Sequence, residues 1–117
     1  MKHWKMKYQN EIWLADLEPQ FGTEAGKVRP VVIIQTDDLN EIAHPSTIIC
    51  PITTNLQNSQ ILRLRLSADI NGLSAESDVL VDQIRTIDND RFIKRIGMLN
   101  EIQATKLKRN LKIVLDL

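Results

Sequence analysis

Apolar residues along most of this chain recur in short runs or with a period of two, separated by short polar breaks. Glu11–Leu17 (EIWLADL) interleaves apolar and polar positions and predicts a strand. Glu18–Val28, with Pro19, Gly22 and Gly26, predicts a long loop. Pro30–Gln35 (PVVIIQ) is a β-branched run suited to a strand buried on both faces. Pro30 stands at its first position, where a strand tolerates proline. Thr36–Ser46 carries Asp37, Asp38, Asn40 and Pro45 and predicts a connection with room for a helical turn. Thr47–Ile52 (TIICPI) predicts a third strand in which Pro51 marks an edge or a bulge. Ile61–Leu66 (ILRLRL) alternates strictly, leucines to one face and Arg63 and Arg65 to the other, as in a half-buried strand. Ser67–Glu76 predicts a turn around Asn71-Gly72. Ser77–Ile84 (SDVLVDQI) predicts a fifth strand, and Arg91–Met98 a further short strand or turn.

The period changes at the end. Asn100 and Gln103 have the spacing of a capping box. Ala104, Leu107, Leu111 and Val114 then recur at helical spacing, with Lys106, Lys108, Arg109 and Lys112 on the other side. A helix over 100–117 is predicted, and residues 1–10 read as a loose lead-in. Five or six short strands followed by one amphipathic helix predict a mainly β fold, a small and strongly curved β-barrel plus helix.

Composition narrows this little. A chain of 117 residues, 43% hydrophobic, is one domain with a real core and much exposed surface, which makes a dimer a reasonable expectation. Fifteen basic residues balance fifteen acidic ones, so nucleic-acid binding would have to come from a local patch. The single cysteine, Cys50, lies in an apolar run and reads as a buried thiol. No leader segment and no membrane span are visible, so the cytoplasm is the expected location.

His3, His44 and Cys50 give no pair at metal-ligand spacing, so no metal and no cofactor are expected. Gly22–Lys27 lacks the length and ending of a nucleotide phosphate loop, and no nucleophilic serine motif is present. What remains is polar residues at the ends of predicted strands: Thr23, Glu24, Lys27 and Arg29 in and after the first loop; Thr53, Thr54 and Asn55 after the third strand; Asp82, Gln83, Arg85 and Thr86 at the end of the fifth. A guanidinium offers a phosphate a bidentate fork, and a carboxylate can move a proton. RNA carries its own nucleophile, the 2′-OH beside the scissile phosphate. Each residue also has a plainer reading. Arg29 alone is a surface arginine beside a proline, Thr53 a turn residue bonding its own backbone, and Asp82 a surface-facing strand residue. Arg63 and Arg65 read as a solvated strand face rather than a binding patch, and Trp4 and Trp13 as packing residues.

Four segments change that balance by their order and distances: EIWLADLEP (11–19), GTEAGKVRPVVIIQ (22–35), PIT (51–53) and DQIRTID (82–88). Together they resemble the MazF/PemK/Kid family of toxin–antitoxin ribonucleases, from about Glu11 into the C-terminal helix. The resemblance implies an SH3-like β-barrel with a C-terminal helix, a symmetric homodimer, and metal-independent cleavage of single-stranded RNA in short sequence contexts. The products would be a 2′,3′-cyclic phosphate and a 5′-OH. It also implies a cognate antitoxin, MazE/PemI-like, whose C-terminal segment covers the RNA groove.

Position by position, Arg29 resembles the family's catalytic arginine. Stabilising phosphate charge in the transition state is its first role, and protonating the leaving oxygen a second one open to it. Thr53 resembles the catalytic threonine, and Glu24 an acidic loop residue that is a candidate general base. Asp82 and Gln83 match a polar pair where members place catalytic or base-reading groups. Thr23, Lys27, Thr54, Asn55 and Arg85 are the remaining expected RNA contacts. Kid-type members carry a histidine where this chain has Thr23 and an arginine where it has Leu80, so the pattern is closer to MazF-type. That puts an essential role for Asp82 in doubt and leaves the base open between Glu24 and Asp82. Two other functions compete: a CcdB-like gyrase-inhibiting toxin and an inactive binding relative. The end Val114-Leu115-Asp116-Leu117 lacks the aromatic residue of the first, and a pure binder needs neither Arg29 nor Thr53.

Overall fold

The computed structural model describes residues 6–19, 21–24 and 26–117. Seven strands build one sheet: β1 (Glu11–Asp16), β2 (Val28–Ile33), β3 (Ser46–Thr53), β4 (Arg63–Leu66), β5 (Ser77–Leu80), β6 (Arg85–Asp88) and β7 (Phe92–Met98). Three helices interrupt or close it: α1 (Asp37–Glu41), α2 (Ala68–Asn71) and α3 (Glu101–Leu115). The strands run in the order β4-β5-β3-β2-β1-β7, and β6 also pairs with β3. Among the described residues the strand pairings are antiparallel. The β-barrel-plus-helix architecture is therefore the one predicted, with seven strands in place of five or six and a curved sheet whose ladder does not close between β4 and β7.

Alternation along the strands splits the core in two. Ile12, Val32, Cys50 and Ile52 join Leu64, Leu66, Val79, Leu107 and Leu111 on the helix side. Trp13, Ala15, Val31, Ile33 and Ile49 point the other way, packing with Leu17, Ile87 and Phe92. β2 therefore serves both cores, as a β-branched run with no polar face requires. Trp13 packs edge-on against Phe92 at 6.0 Å, confirming its packing role, while His3 and Trp4 lie outside the described residues. Register shifts between Ile12 and Trp13 and between Leu14 and Ala15 bend β1 against β7 and supply curvature.

Two strand boundaries differ from expectation. β2 begins at Val28, so Pro30 is its third residue, not its first. Its pairing with β3 starts only at Val31, so at Pro30 the ladder continues on the β1 side alone, through Leu14. That is an edge position, where a missing N–H costs no bond. The expected fifth strand, Ser77–Ile84, is cut after Leu80 by a 3-10 turn, Val81–Gln83. β3 explains the cut, because β5 and β6 lie end to end along it. Ile52 faces Val79, and that register continued would set Ile49 opposite Asp82; Ile49 instead faces Arg85, three residues on. The turn absorbs those three residues opposite Cys50 and Pro51, and Pro51 has no N–H to leave unpaired.

The lead-in is held from Lys7 onward. Lys7 is buried with its ammonium 4.7 Å from the Phe92 ring centre, and the Gln9 side chain donates to the Ile34 carbonyl. At the other end the capping box forms as predicted. Asn100 accepts from the Gln103 amide at 2.8 Å and Gln103 accepts from the Asn100 amide at 3.0 Å. Cys50 is fully buried, and burial followed by the charge of Asp82 pushes its thiol up to about 12, so it is inert. Among the described residues no helix is long and apolar enough to cross a membrane.

Candidate active site

Arg29 is half-buried inside β2, opposite Ala15 of β1. It belongs to the strand rather than to the loop before it, and its guanidinium Nε donates to the Gly26 carbonyl at 2.8 Å. That bond fixes the direction of the side chain and leaves the two Nη groups for a ligand. Thr53 ends β3. The β2–β3 pairing ends at Val31 with Pro51; Arg29 stands two residues before Val31 and Thr53 two after Pro51, so by alternation both lie on the face of that pair, just beyond the end of the ladder. Opposite residues of an antiparallel pair share a face. The row on that face continues across the sheet, because Thr53 faces Asp78 of β5 and Asp78 faces Arg65 of β4. Pro30, Thr53, Thr54, Ser74 and Ser77 line a small hollow of about 60 Å³ beside this row. Its walls are short hydroxyl-bearing side chains around Ile52 and Leu73.

The first loop is tied to Arg29 through the Gly26 carbonyl and to the turn after β5. The Gln83 amide group donates to the Thr23 carbonyl at 3.3 Å, linking the loop to the 3-10 turn. Glu24 follows Thr23 and Asp82 precedes Gln83, and both carboxylates are exposed. Lys27 is exposed with a positive φ of 67°, its amide donating to the Glu18 carboxylate and its carbonyl accepting from Leu17 at 2.9 Å. Arg91 clamps the same loop base through the carbonyls of Asp16 and Glu18. Arg85 begins β6 opposite Ile49, with its Nη1 buried and without a hydrogen-bond partner. Thr54 and Asn55 are exposed after β3, and the Asn55 amide donates to the Thr53 hydroxyl at 3.1 Å. Of the predicted site residues, Thr23 and Gln83 are joined by a hydrogen bond, as are Thr53 and Asn55, and Arg29 and Thr53 lie on one face at neighbouring strand ends.

The arginines of β4 form the solvated face expected of them only in part: Arg65 is exposed, Arg63 is half-buried, and both are tied to one carboxylate. Asp78 is fully buried and receives Arg65 Nε at 2.5 Å, Arg63 Nη1 at 3.2 Å and the Gln57 amide at 3.0 Å. Burial works to raise its carboxyl; the hydrogen bonds from Arg65, Gln57 and Arg63 outweigh burial and hold it below the ordinary carboxylate range. Its contribution to stability is complete above that range and is lost only as pH falls through the depressed value. Asp78 was hidden in the sequence as one polar residue in an apolar run. The only signal was its partner, a pair of arginines two apart on the neighbouring strand.

Residues 8–115 match the family model of the PemK-like, MazF-like toxins of type II toxin–antitoxin systems. The chain belongs to this family. It is 32% identical over 116 residues to the endoribonuclease MazF9 of Mycobacterium tuberculosis, covering 96% of this chain and 98% of that one. It is 34% identical over 110 residues to the endoribonuclease EndoA of Bacillus subtilis, covering 93% and 94%. With relatives of that kind matched over nearly their whole length, this MazF-like toxin is an endoribonuclease. Among solved structures, the Mycobacterium tuberculosis toxin MazF-mt6 shares the fold with a TM-score of 0.77 at 26% identity, over 92% of this chain and 97% of that one. MazF in a MazE–MazF complex from Deinococcus radiodurans has the same fold, with a TM-score of 0.76 at 19% identity, over 96% and 98%.

Proposed function

We propose that this MazF-like toxin cuts single-stranded RNA, messenger RNA above all, by attack of the 2′-OH on the adjacent phosphate, without a metal and within short sequence contexts. The 2′-oxygen loses its proton to a carboxylate and bonds to phosphorus. The 5′-oxygen leaves and takes up a proton, so that the ends are a 2′,3′-cyclic phosphate and a 5′-OH. Such cleavage would inhibit translation, and the cytoplasm is where its substrate lies.

The observation that supports this reading is that Arg29 and Thr53 lie on one face at the neighbouring ends of β2 and β3. A guanidinium fixed by one bond to Gly26, beside a threonine hydroxyl, suits the non-bridging oxygens of a phosphate whose charge grows in the transition state. Strand positions also hold these two groups more rigidly than loops would. Thr23, Lys27, Thr54, Asn55, Gln83 and Arg85 surround the row on exposed or half-exposed sites and form the RNA-binding rim. The protein acts as a homodimer. A cognate antitoxin restrains it by laying an acidic, partly disordered C-terminal segment over the basic groups Lys27, Arg29 and Arg85. The fold of MazF from the Deinococcus MazE–MazF complex supports that pairing.

Purified protein should cleave unstructured RNA in EDTA, and mapping of the ends should find cyclic phosphate and 5′-OH. A strict need for added metal, or 5′-phosphate ends, would overturn the mechanism. Glu24 takes the proton in this scheme, because it rides on the loop whose Gly26 carbonyl holds the Arg29 guanidinium. Glu24→Gln is therefore expected to slow cleavage about a hundredfold near neutral pH, with Asp82→Asn staying within a few-fold of wild type. The reverse order of the two variants moves the base to Asp82.

A further inference from the structure

The segment that follows Thr53, residues 54–62, has no strand or helix of its own, yet few of its turns are left unanchored. Arg63 donates to the Asn55 carbonyl at 2.9 Å and Arg65 to the Gln57 carbonyl at 3.3 Å. The Gln57 amide reaches Asp78 at 3.0 Å, and Asn110 of α3 donates to the Gln60 carbonyl at 3.2 Å. Within the segment the Ser59 hydroxyl accepts from the Leu62 amide at 3.1 Å, and the Leu62 carbonyl accepts from Val81 at 3.0 Å. Three of these anchors pass through one carboxylate, since Asp78 holds both arginines and the Gln57 amide.

Asp78 also faces Thr53 across the β3–β5 pairing, so it stands between the proposed catalytic hydroxyl and the loop that leaves it. The loop exposes Thr54, Asn55, Leu56, Gln57 and Asn58, and it starts at the hollow that Thr53 and Thr54 line. Amide side chains on an exposed loop beside a phosphate-binding row are groups able to read base edges of a single strand. Their usefulness depends on a single loop shape, because a loop free to sample many would order only at the cost of affinity.

We propose that Asp78 is a positioning residue for selectivity: with Arg63 and Arg65 it fixes the 54–62 loop as a preformed surface for the bases beside the cleaved phosphate. This rests on the RNA-cleaving reading above. Arg29 stands on β2, and Thr53, though it faces Asp78, is held by the β3–β5 ladder rather than by the arginine–carboxylate bonds, so loosening the loop weakens RNA binding and blurs the choice of site more than it slows the chemical step.

The test is Asp78→Asn in the full chain, with Arg65→Gln as a milder companion that leaves Arg63 on Asp78. Steady-state cleavage of a synthetic RNA cut by the wild type would be followed, the sites cut in a long unstructured RNA mapped, and amide hydrogen exchange measured over 54–62. The expected result for Asp78→Asn is a KM raised about tenfold with kcat within about twofold, a broader set of cut sites, and exchange faster by about tenfold in the loop but not in β2. Arg65→Gln moves all three the same way by less. A folded Asp78→Asn with wild-type KM and cut sites overturns the proposal, as does unaltered exchange in the loop. If Asp78→Asn does not fold, wild-type behaviour of Arg65→Gln overturns it instead. A wild-type protein that fails to cleave RNA defeats the reading beneath, which is a separate and recognisable outcome.

Discussion

Arg29→Ala is expected to lower the rate of RNA cleavage about a thousandfold while leaving the fold intact by circular dichroism. Removal of one preorganised donor from a developing oxyanion costs roughly a hundred- to a thousandfold, and the bidentate, permanently charged guanidinium puts Arg29 at the upper end. Stability should barely change, because Arg29 is half-buried and the bond it gives up is one to the Gly26 carbonyl. Arg29→Lys separates charge from geometry. An ammonium keeps the positive charge but offers no planar fork and cannot reproduce the bond from Nε, so only a small part of the activity should return. Turnover at the wild-type rate by Arg29→Ala would remove this residue from the chemistry and leave the row without its central group.

Gly97→Ala should do the opposite: spare the chemistry and undermine the fold. A Cβ at Gly97 would lie 2.0 Å from the Asn71 carbonyl oxygen and 2.8 Å from its carbon. The approach is mutual, for a Cβ at Gly72 would lie 2.1 Å from the Ile96 carbonyl oxygen, and Gly72 holds a φ of +75°. These are backbone atoms that no rotamer change can move. Asn71 is itself fully buried and donates to the Met98 carbonyl at 2.9 Å and to Gln103 at 2.8 Å, so a displaced α2 would strain its links to β7 and α3 together. A loss of about 3 kcal/mol is expected, read as a shifted urea midpoint, since overpacking against rigid backbone costs at the top of its usual range. Gly97 pairs with Ile12 at one end of β1, whereas Arg29 pairs with Ala15 near the other. At temperatures where the variant is folded it should therefore still cut RNA, and a stability equal to wild type would mean that α2 and β7 are not in this contact.

Local chemistry wrote much of the fold into the chain. The unbroken VVI of β2 demanded burial on two sides, and the two cores provide it. The Asn100–Gln103 pair announced the start of α3 because both partners of a capping box lie within one turn. The order and spacing of Gly22–Pro30, Pro51–Thr53 and Asp82–Asp88 carried the family, and with it Arg29 and Thr53. Other features depended on which strands meet. Val79, Leu80, Val81 and Ile84 are equally apolar whether the segment runs straight or turns, so only its pairing with two stretches of β3 revealed the 3-10 turn that exposes Asp82. Arg63 and Arg65 looked solvated because alternation shows that two residues share a face without showing what that face meets.

The sequence by itself determined the mainly β class, the closing helix and the residues available for phosphate chemistry, because each follows from periodicity or from residue type at short range. Only the tertiary structure decided that Arg29 and Thr53 end neighbouring strands on one face, that the Thr23 loop is tied to Gln83, and that Asp78 gathers two arginines under the loop after Thr53. Those relations are set by strand register, which joins residues far apart in the chain through hydrogen bonds of the backbone rather than through any pattern in the side chains.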